Sequence, residues 1–397
     1  MTKVRLFFTP IFLFLISANT VAKSLFIGLP LNMSGTNAQY SLEFKNGIEA
    51  YLQMINGSDQ LGKFDLKLIS MDDLATKERA ISNTNRLIKS KKVLAILTNH
   101  QRALSEQIAN VALKNKTLLL SANHINIPTN KRNRKYIINY EPNIEDQIAT
   151  LSTDLKRSEN VFVLSSNNFN EKEITFAINK LKKENSIGNV TQLTSESLLT
   201  INIEKPSTFI INKDFIPAIN DIKFILNQSI KHHIIVMSNT GSQFIANALM
   251  FDNSTEQLSQ ISYLSTTPLH LTETDLVQQF NSDMNNFNPN LNKSDQAFKG
   301  YLLAKILSHS INKSMEGVKA DSIMGVVTLP FQILDKMVGW VKHSGADINS
   351  RIIADKIKNQ SKLNIGLSKS INISRDNIVI NDAWLLKTNK DGNFIKK

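Results

Sequence analysis

The amino-acid sequence predicts an α/β protein built from two doubly wound lobes. Residues 25–121 alternate short apolar strands with amphipathic helices, and the same alternation begins again after Pro142. Repeated strand–helix units of this length are typical of parallel sheets that carry helices on both faces. Ligands of such sheets bind beyond the carboxyl ends of the strands, where two lobes can face each other.

Hydrophobic periodicity predicts the elements of the first half. Alternating or continuous apolar residues indicate strands at residues 25–30, 64–68, 93–97 and 117–120. Apolar residues at helical spacing indicate a helix from Phe44 to Ile55, which Asn56 and Gly57 end. Two further helices are predicted through residues 80–88 and 104–111.

The second half repeats this pattern and then changes. Strands are predicted at residues 161–164, 208–211 and 234–237, with helices through residues 174–181 and 219–226. Residues 294–340 have a mostly helical pattern. Alternation at Ile378, Ile380 and Trp384 then predicts a late strand or hairpin.

The composition excludes several classes of protein. A chain of 397 residues with 42% hydrophobic residues is long enough for two or three domains and too apolar for disorder. It has no cysteine, which excludes disulfides, thiolate metal sites and thiol nucleophiles. The net charge is +12, but the densest basic run, residues 131–135, has no interleaved aromatic residues. We therefore expect a solvated basic surface and no nucleic-acid partner.

Residues 1–22 have the pattern of a secretory signal peptide. Lys3 and Arg5 precede the apolar residues 6–16, and Thr20-Val21-Ala22 offers small residues for cleavage. The apolar segment is shorter than the roughly 20 residues that a membrane-spanning helix needs. We therefore expect export and cleavage, with an uncleaved N-terminal anchor as the alternative.

The sequence carries no catalytic or cofactor-binding motif of the GxSxG, P-loop, GxGxxG or HExxH kind. His232 and His233 are the only adjacent histidines, and neighbours on a strand point to opposite faces, so they cannot share a metal ion. Asp72 and Asp73 follow a predicted strand, and we expect them to cap the next helix rather than to bind Ca²⁺. The sequence thus predicts neither a cofactor nor an enzyme, and a hydrolase on the same scaffold is the alternative.

Several short motifs occur in a particular order: residues 27–31 with Ser34 and Gly35, residues 38–40, Gly47, residues 71–73, and Gly300-Tyr301. In order and spacing they resemble the periplasmic binding proteins of the first fold type, in the branch that binds branched-chain amino acids and amides for ABC importers. The similarity extends over nearly the whole chain after residue 22.

The resemblance implies two Rossmann-like lobes joined by three crossings of the chain, with a ligand cleft between them. The crossings would lie near residues 139–142, 263–268 and 371–373. One lobe would comprise residues 24–141 and 268–372, and the other residues 143–262 and 374–397.

The resemblance also implies a set of ligand-binding residues. By position these are Tyr40, Gln101, Arg102, Asn123, His124, Phe169, Asp214, Phe215 and Thr240. Tyr40 and Phe169 would form apolar walls, and the loops at residues 99–102 and 121–124 would form a polar grip. Thr240 stands where amino-acid binders carry a glutamate for the α-ammonium group, and the first-lobe loops lack their usual small hydroxyl residues.

The function implied by the resemblance is capture of a small polar ligand, such as an amino-acid derivative, amide, peptide or carboxylate, in the periplasm. The partner would be the membrane permease of an ABC importer. The alternative is a ligand-sensing or regulatory subunit that acts on a membrane receptor or an envelope enzyme, with or without retained ligand binding.

We predict that the mature chain begins near Lys23, because the apolar segment ends in the small residues Thr20-Val21-Ala22. N-terminal sequencing of the exported protein checks this prediction. Recovery of Met1 in washed membrane fractions would contradict it.

Overall fold

The computed structural model describes residues 23–35, 38–62, 64–100, 102–125, 131–155, 160–165, 171–185, 188–326, 348–359, 379, 383–389 and 394–396. The predicted signal peptide and the predicted third crossing at residues 371–373 lie outside these ranges. Within the described ranges, no helix has both the length and the apolar character that crossing a membrane requires.

The first sheet has five parallel strands. They are β1 (Lys23–Leu31), β2 (Phe64–Asp72), β3 (Ala95–Thr98), β4 (Leu118–Ser121) and β5 (Ile137–Asn139). Their order in space is β2-β1-β3-β4-β5. Because β1 pairs with both β2 and β3, the direction of winding reverses between β1 and β3, where the strand ends leave a crevice.

The second sheet repeats this order. Its strands are β6 (Asn160–Ser165), β7 (Asn189–Leu193), β8 (Thr208–Asn212), β9 (His233–Val236), β10 (Ile261–Ser265), β11 (Trp384–Thr388) and β12 (Phe394–Lys396). The five parallel strands lie in the order β7-β6-β8-β9-β10, so the reversal falls between β6 and β8. The antiparallel strands β11 and β12 extend the sheet at β10. Trp384 of the predicted late strand or hairpin begins β11, and Ile378 and Ile380 lie outside the described residues.

Helices cover both faces of each sheet. In the first half they are α1 (Ala38–Asn56), α2 (Lys77–Lys89), α3 (Arg102–Lys114), α4 (Lys131–Arg134), α5 (Ile144–Thr150), α6 (Ser152–Leu155), α7 (Glu171–Asn185) and α8 (Ser195–Thr200). Those that follow are α9 (Phe215–Leu226), α10 (Ser242–Met250), α11 (Thr255–Ser259), α12 (Asp275–Phe287), α13 (Asp295–Val326) and α14 (Ser350–Asn359). The predicted α/β class with two doubly wound lobes is confirmed.

The helices that follow β10 pack on the first sheet. Phe280 of α12, Phe298 of α13 and Ile353 of α14 share one buried cluster with Ile27 of β1 and Phe44 of α1. The chain thus returns from the second sheet to the first after residue 265. The exact lobe boundaries stay predictions, because residues 360–378 lie outside the described part of the chain.

Two glycines let α1 and α13 cross at backbone contact. A Cβ atom on Gly47 would lie 1.8 Å from the Ala297 carbonyl oxygen, and one on Gly300 would lie 2.1 Å from the Phe44 carbonyl oxygen. Both neighbours are backbone atoms that cannot rotate away. The close crossing fixes the position of α1, and α1 carries Tyr40.

We predict that Gly47→Ala lowers the free energy of unfolding by about 1–3 kcal/mol or more, because the added methyl group must push the two helices apart. Urea denaturation followed by circular dichroism measures this change. Gly57→Ala is the control, since its Cβ would meet nothing closer than 3.3 Å. Equal stability of the two variants would contradict the prediction.

Candidate functional site

A cavity of about 680 Å³ opens where the carboxyl ends of both sheets face each other. Its volume is within the range of about 300–1,000 Å³ that is usual for small-molecule sites. From the first sheet, Asn32 follows β1, Ala75 follows β2, and Asn99 and His100 follow β3. From the second sheet, Phe215 follows β8, and residues 239–241 follow β9. The cavity therefore lies where the strand order reverses in the first sheet.

Three aromatic rings form an apolar wall that joins the two lobes. Tyr40 of α1 contacts Phe244 of α10 with 5.7 Å between ring centroids, and Phe244 contacts Phe215 of α9 at 6.0 Å. Gly241 adopts φ +86°, which ends the turn after β9 and starts α10 beside the Tyr40 ring. Tyr40 and Phe215 were predicted from the sequence. Phe244 was not, although its place in the first turn of a helix after a strand end is a usable signal.

His100 is the most buried ionisable side chain among the lining residues, and its ring is held by Asp73. Its Nε2 atom lies 2.7 Å from Asp73 Oδ2, and the two side chains are 5% and 0% exposed. The His100 carbonyl oxygen accepts from Ser105 Oγ at 2.5 Å and from Asn123 Nδ2 at 2.9 Å. Both the ring and the backbone of His100 are therefore fixed.

The expectation that Asp72 and Asp73 cap the following helix is wrong. The N-cap residue of α2 is Thr76. Asp72 Oδ1 accepts instead from the Met33 and Leu74 amides, and Asp73 Oδ1 accepts from the Ala75 amide, all at 3.0 Å. Leu74 and Ala75 have φ of 52° and 54°, which is uncommon for residues with a Cβ, so the carboxylates stabilise a strained turn beside the cavity.

Three asparagines that line the same cavity have buried amide atoms without a hydrogen-bond partner. Asn99 is 2% exposed, and both atoms of its amide lack a hydrogen-bond partner. The Oδ1 atoms of Asn32 and Asn239 are also buried without a partner. Buried amides without partners cost free energy, and a bound ligand can supply the missing hydrogen bonds.

Thr240 lines the cavity from the second lobe. Its hydroxyl donates to the Ile211 carbonyl oxygen at 3.2 Å, so it offers the cavity lone pairs rather than a donor. No carboxylate occurs among the described residues that line the cavity. These residues include one lysine, Lys77, and it is exposed.

The structure brings together three of the predicted ligand-binding residues, Tyr40, Phe215 and Thr240. Asn123 lies behind the cavity and supports the loop at residues 99–100, with its Nδ2 donating to both carbonyl oxygens. His124 and Asp214 are not among the lining residues; His124 lies beside Asn139, and Asp214 is the N-cap residue of α9. Gln101, Phe169 and the side chain of Arg102 lie outside the described residues.

A buried ion pair connects the two segments that join the lobes. Lys299 Nζ contacts Glu141 Oε1, and each of these residues is 1% exposed. Glu141 lies just after β5, and it also accepts from Thr266 Oγ1, just after β10, at 3.0 Å. Thr267 Oγ1 donates to Asp295 Oδ1 at 2.5 Å. The first turns of α13 therefore bind both joining segments.

The same helix holds Tyr40. Gln296 Nε2 donates to the Tyr40 hydroxyl at 2.7 Å. Burial raises the pKa of Tyr40 well above its ordinary value, and the nearby carboxylates of Glu141, Asp295 and Glu43 raise it further. Burial likewise raises the pKa of the Asp295 carboxyl group, against the hydrogen bond from Thr267 that lowers it. Tyr40 therefore stays neutral, and its hydroxyl contacts Gln296 in the first turn of α13, the helix that binds both joining segments.

The described residues hold no group of three or more His, Cys, Asp or Glu side chains that could bind a metal ion. The His100 ring is hydrogen-bonded to Asp73, and no serine hydroxyl among the described residues is hydrogen-bonded to it. Within the described part of the chain, the Asp73–His100 pair therefore has no serine partner of the kind that a Ser-His-Asp triad contains.

Residues 24–192 match the family model of the periplasmic binding proteins. No curated protein matches the chain significantly in sequence. The resemblance predicted from the sequence is thereby confirmed over the matched segment.

Solved structures extend the likeness over the whole chain. A possible leucine/isoleucine/valine-binding protein from Rhodopirellula baltica is 16% identical, with a TM-score of 0.74 over 96% of this chain and 98% of that one. The isoleucine complex of LivJ, a branched-chain amino acid transporter substrate-binding protein from Streptococcus pneumoniae, is 14% identical, with a TM-score of 0.68 over 94% of this chain and 100% of that one. A leucine-binding protein from Thermotoga maritima is 16% identical, with a TM-score of 0.69 over 94% and 97%. At these identities the likeness shows the fold.

We predict that Lys299→Met lowers the free energy of unfolding by about 3–5 kcal/mol, because it leaves the Glu141 carboxylate buried without a cationic partner. The double variant Glu141→Gln/Lys299→Met should recover most of this loss. Lys223→Met is the matched control, since Lys223 pairs with Asp252 on the surface and exposed pairs contribute about 0–1 kcal/mol. Urea denaturation that finds the two single variants alike would contradict the prediction.

Proposed function

We propose that this chain is an exported solute-binding protein that captures a small polar ligand between its lobes and delivers it to an ABC importer. The observation that carries the proposal is the cavity between the strand ends, which is lined from both lobes and contains unpaired buried amides. Its relatives are binding proteins, and the family implies export to the periplasm.

The proposed mechanism is a shift in the equilibrium between open and closed arrangements of the lobes. A ligand that contacts Asn99 and His100 on one side and Phe215 and Thr240 on the other binds the closed arrangement better than the open one. The difference between its binding free energies for the closed and the open arrangements drives closure. The joining segments are held by α13 at Glu141 and Thr267, through Lys299 and Asp295, so the lobes would rotate about these points.

The ligand should differ from a simple branched-chain amino acid. A buried α-ammonium group needs a carboxylate or several well-placed acceptors, since an unpaired buried charge costs several kcal/mol. Thr240 provides a single hydroxyl oxygen, and the nearby Asp73 carboxylate already binds His100 and the Ala75 amide. Burial of the leucine side chain contributes about 1.5–3 kcal/mol, which does not offset such a cost.

A thermal-shift screen of amino acids, amides, short peptides and carboxylates on ligand-stripped protein tests the function. A ligand that binds only the folded state raises the melting temperature, and at a concentration of about 100 Kd it adds about 2.7 kcal/mol of stability. Ala103→Trp should abolish the shift, because Ala103 is exposed within the cavity and a large ring there obstructs the space that a ligand needs. Asn110→Trp is the matched control, two turns further along α3 and outside the cavity. If no compound in the screen produces a shift that Ala103→Trp removes, the proposal fails.

We predict that leucine, isoleucine and valine bind ligand-stripped protein more weakly than micromolar. The reason is the absence of a lining carboxylate among the described residues, together with the commitment of Asp73 to His100. Isothermal titration calorimetry is the measurement. Micromolar or tighter binding of any of the three would refute the prediction and the interpretation of position 240.

A further inference from the structure

The Asp73–His100 pair determines which polar group the cavity offers on the first lobe. An ionised carboxylate only accepts hydrogen bonds, so the His100 nitrogen that lies 2.7 Å from Asp73 Oδ2 must carry a hydrogen. In a neutral imidazole the other nitrogen, Nδ1, is then an acceptor. No hydrogen bond within the described part of the chain uses Nδ1, and His100 is one of the residues that line the cavity.

Asp73 is well placed to fix this tautomer. It is fully buried, its Oδ1 accepts from the Ala75 amide at 3.0 Å, and its backbone amide donates to the Leu31 carbonyl oxygen at 3.0 Å. The carboxylate therefore cannot turn away from the ring. It does not line the cavity, so it acts on a ligand only through His100.

The second lobe presents an acceptor as well. Thr240 uses its hydroxyl hydrogen on the Ile211 carbonyl oxygen, which leaves lone pairs for the cavity. Asn32, Asn99 and Asn239 also line the cavity, and each has a buried Oδ1 atom without a partner; the Asn99 Nδ2 donor is unpaired as well. Lys77 is the one lysine among the described lining residues, and it is exposed.

We infer that His100, positioned by Asp73, is a fixed hydrogen-bond acceptor that makes the cleft select uncharged ligands with N–H or O–H donors and reject the matching carboxylates. This inference rests on the proposed function and names the ligand chemistry of that same cavity. A carboxylate at this position meets the Nδ1 lone pair with its own lone pairs. An amide or hydroxyl at the same position donates to Nδ1 and, from its far side, to the acceptors of the second lobe.

The test compares matched probes by isothermal titration calorimetry at one fixed pH of about 8.5, at which carboxylic acids are ionised. The probes are 4-methylpentanamide and 3-phenylpropanamide for amide donors, xylitol and myo-inositol for hydroxyl donors, and 4-methylpentanoate and 3-phenylpropanoate for carboxylates. We expect at least one uncharged probe to bind. For an amide, the matching acid should bind about tenfold or more weakly, since an unmade hydrogen bond in a buried site has about that effect. An acid that binds as well as its amide overturns the inference.

The decisive variant is Asp73→Asn. Its side-chain amide donates to His100 Nε2, which moves the ring hydrogen to Nδ1 and turns the acceptor into a donor. The ratio of acid to amide affinity should then rise about tenfold or more, although residue 73 does not line the cavity. If Asp73 had only a structural role, Asp73→Asn would lower the affinities for the amide and the acid by the same factor and leave their ratio unchanged. That result overturns the inference.

Asp72→Asn is the matched control. Asp72 belongs to the same turn and accepts from the Met33 and Leu74 amides and from Ser34 Oγ, without contact to His100. Asp72→Asn should leave the ratio of acid to amide affinity unchanged. A change in this ratio as large as that caused by Asp73→Asn counts against the inference. If Asp73→Asn does not fold, His100→Gln replaces it: the glutamine amide reaches Asp73 but offers no acceptor at Nδ1, so amide affinity should fall about tenfold and acid affinity should not.

Failure of this inference is distinguishable from failure of the proposed function. Binding of an amino acid or a carboxylate with no binding of any uncharged probe overturns the selection by His100 and leaves solute binding intact. No binding of any compound in either panel overturns both.

Discussion

The first turns of α13 connect the parts of this molecule on which ligand capture depends. Lys299 holds Glu141, which lies where the chain leaves the first sheet, and Asp295 accepts from Thr267, which lies where the chain leaves the second. Both joining segments are thus bound to one rigid helix by charge-assisted hydrogen bonds in a buried setting. Because each buried charge needs its partner, these segments have little freedom to shift independently. In the proposed closure, the lobes would therefore rotate about this edge.

The same helix determines the shape of the cavity. Gly47 and Gly300 let α1 approach α13 until backbone atoms touch, and Gln296 of α13 donates to the Tyr40 hydroxyl. Tyr40 in turn contacts Phe244 of the other lobe. Contacts therefore connect the crossing of α1 and α13 in the core of the first lobe, through Gln296 and Tyr40, to the aromatic wall of the cavity. The two glycines matter for ligand binding although neither lines the cavity.

Much of the fold and part of the site could be predicted from the sequence, for identifiable physical reasons. Hydrophobic periodicity predicted the strands because sheets covered on both faces require continuous apolar runs, and the observed strand order repeats in both lobes. Tyr40, Phe215 and Thr240 could be placed because the resemblance to the family carries its ligand-binding positions over by their order along the chain, and all three line the cavity. The Asp73–His100 pair could not, because a hydrogen bond between residues 27 positions apart depends on strand register and side-chain rotamers. Sequence alone suggested helix capping for Asp73, since the local pattern of a cap and of an Asx turn is the same.

The Asp73–His100 pair also explains how one fold can change the polarity of its ligands with few substitutions. The backbone frame around the cavity is fixed by the strand ends, by the turn at residues 72–75 and by Asn123, none of which depends on the ligand. Within that frame, a single buried carboxylate decides which nitrogen of His100 carries the hydrogen, and so whether the cavity offers a donor or an acceptor. The ligand preference of this cleft is therefore controlled by a residue behind its wall. Comparison of the lining residues alone would miss it.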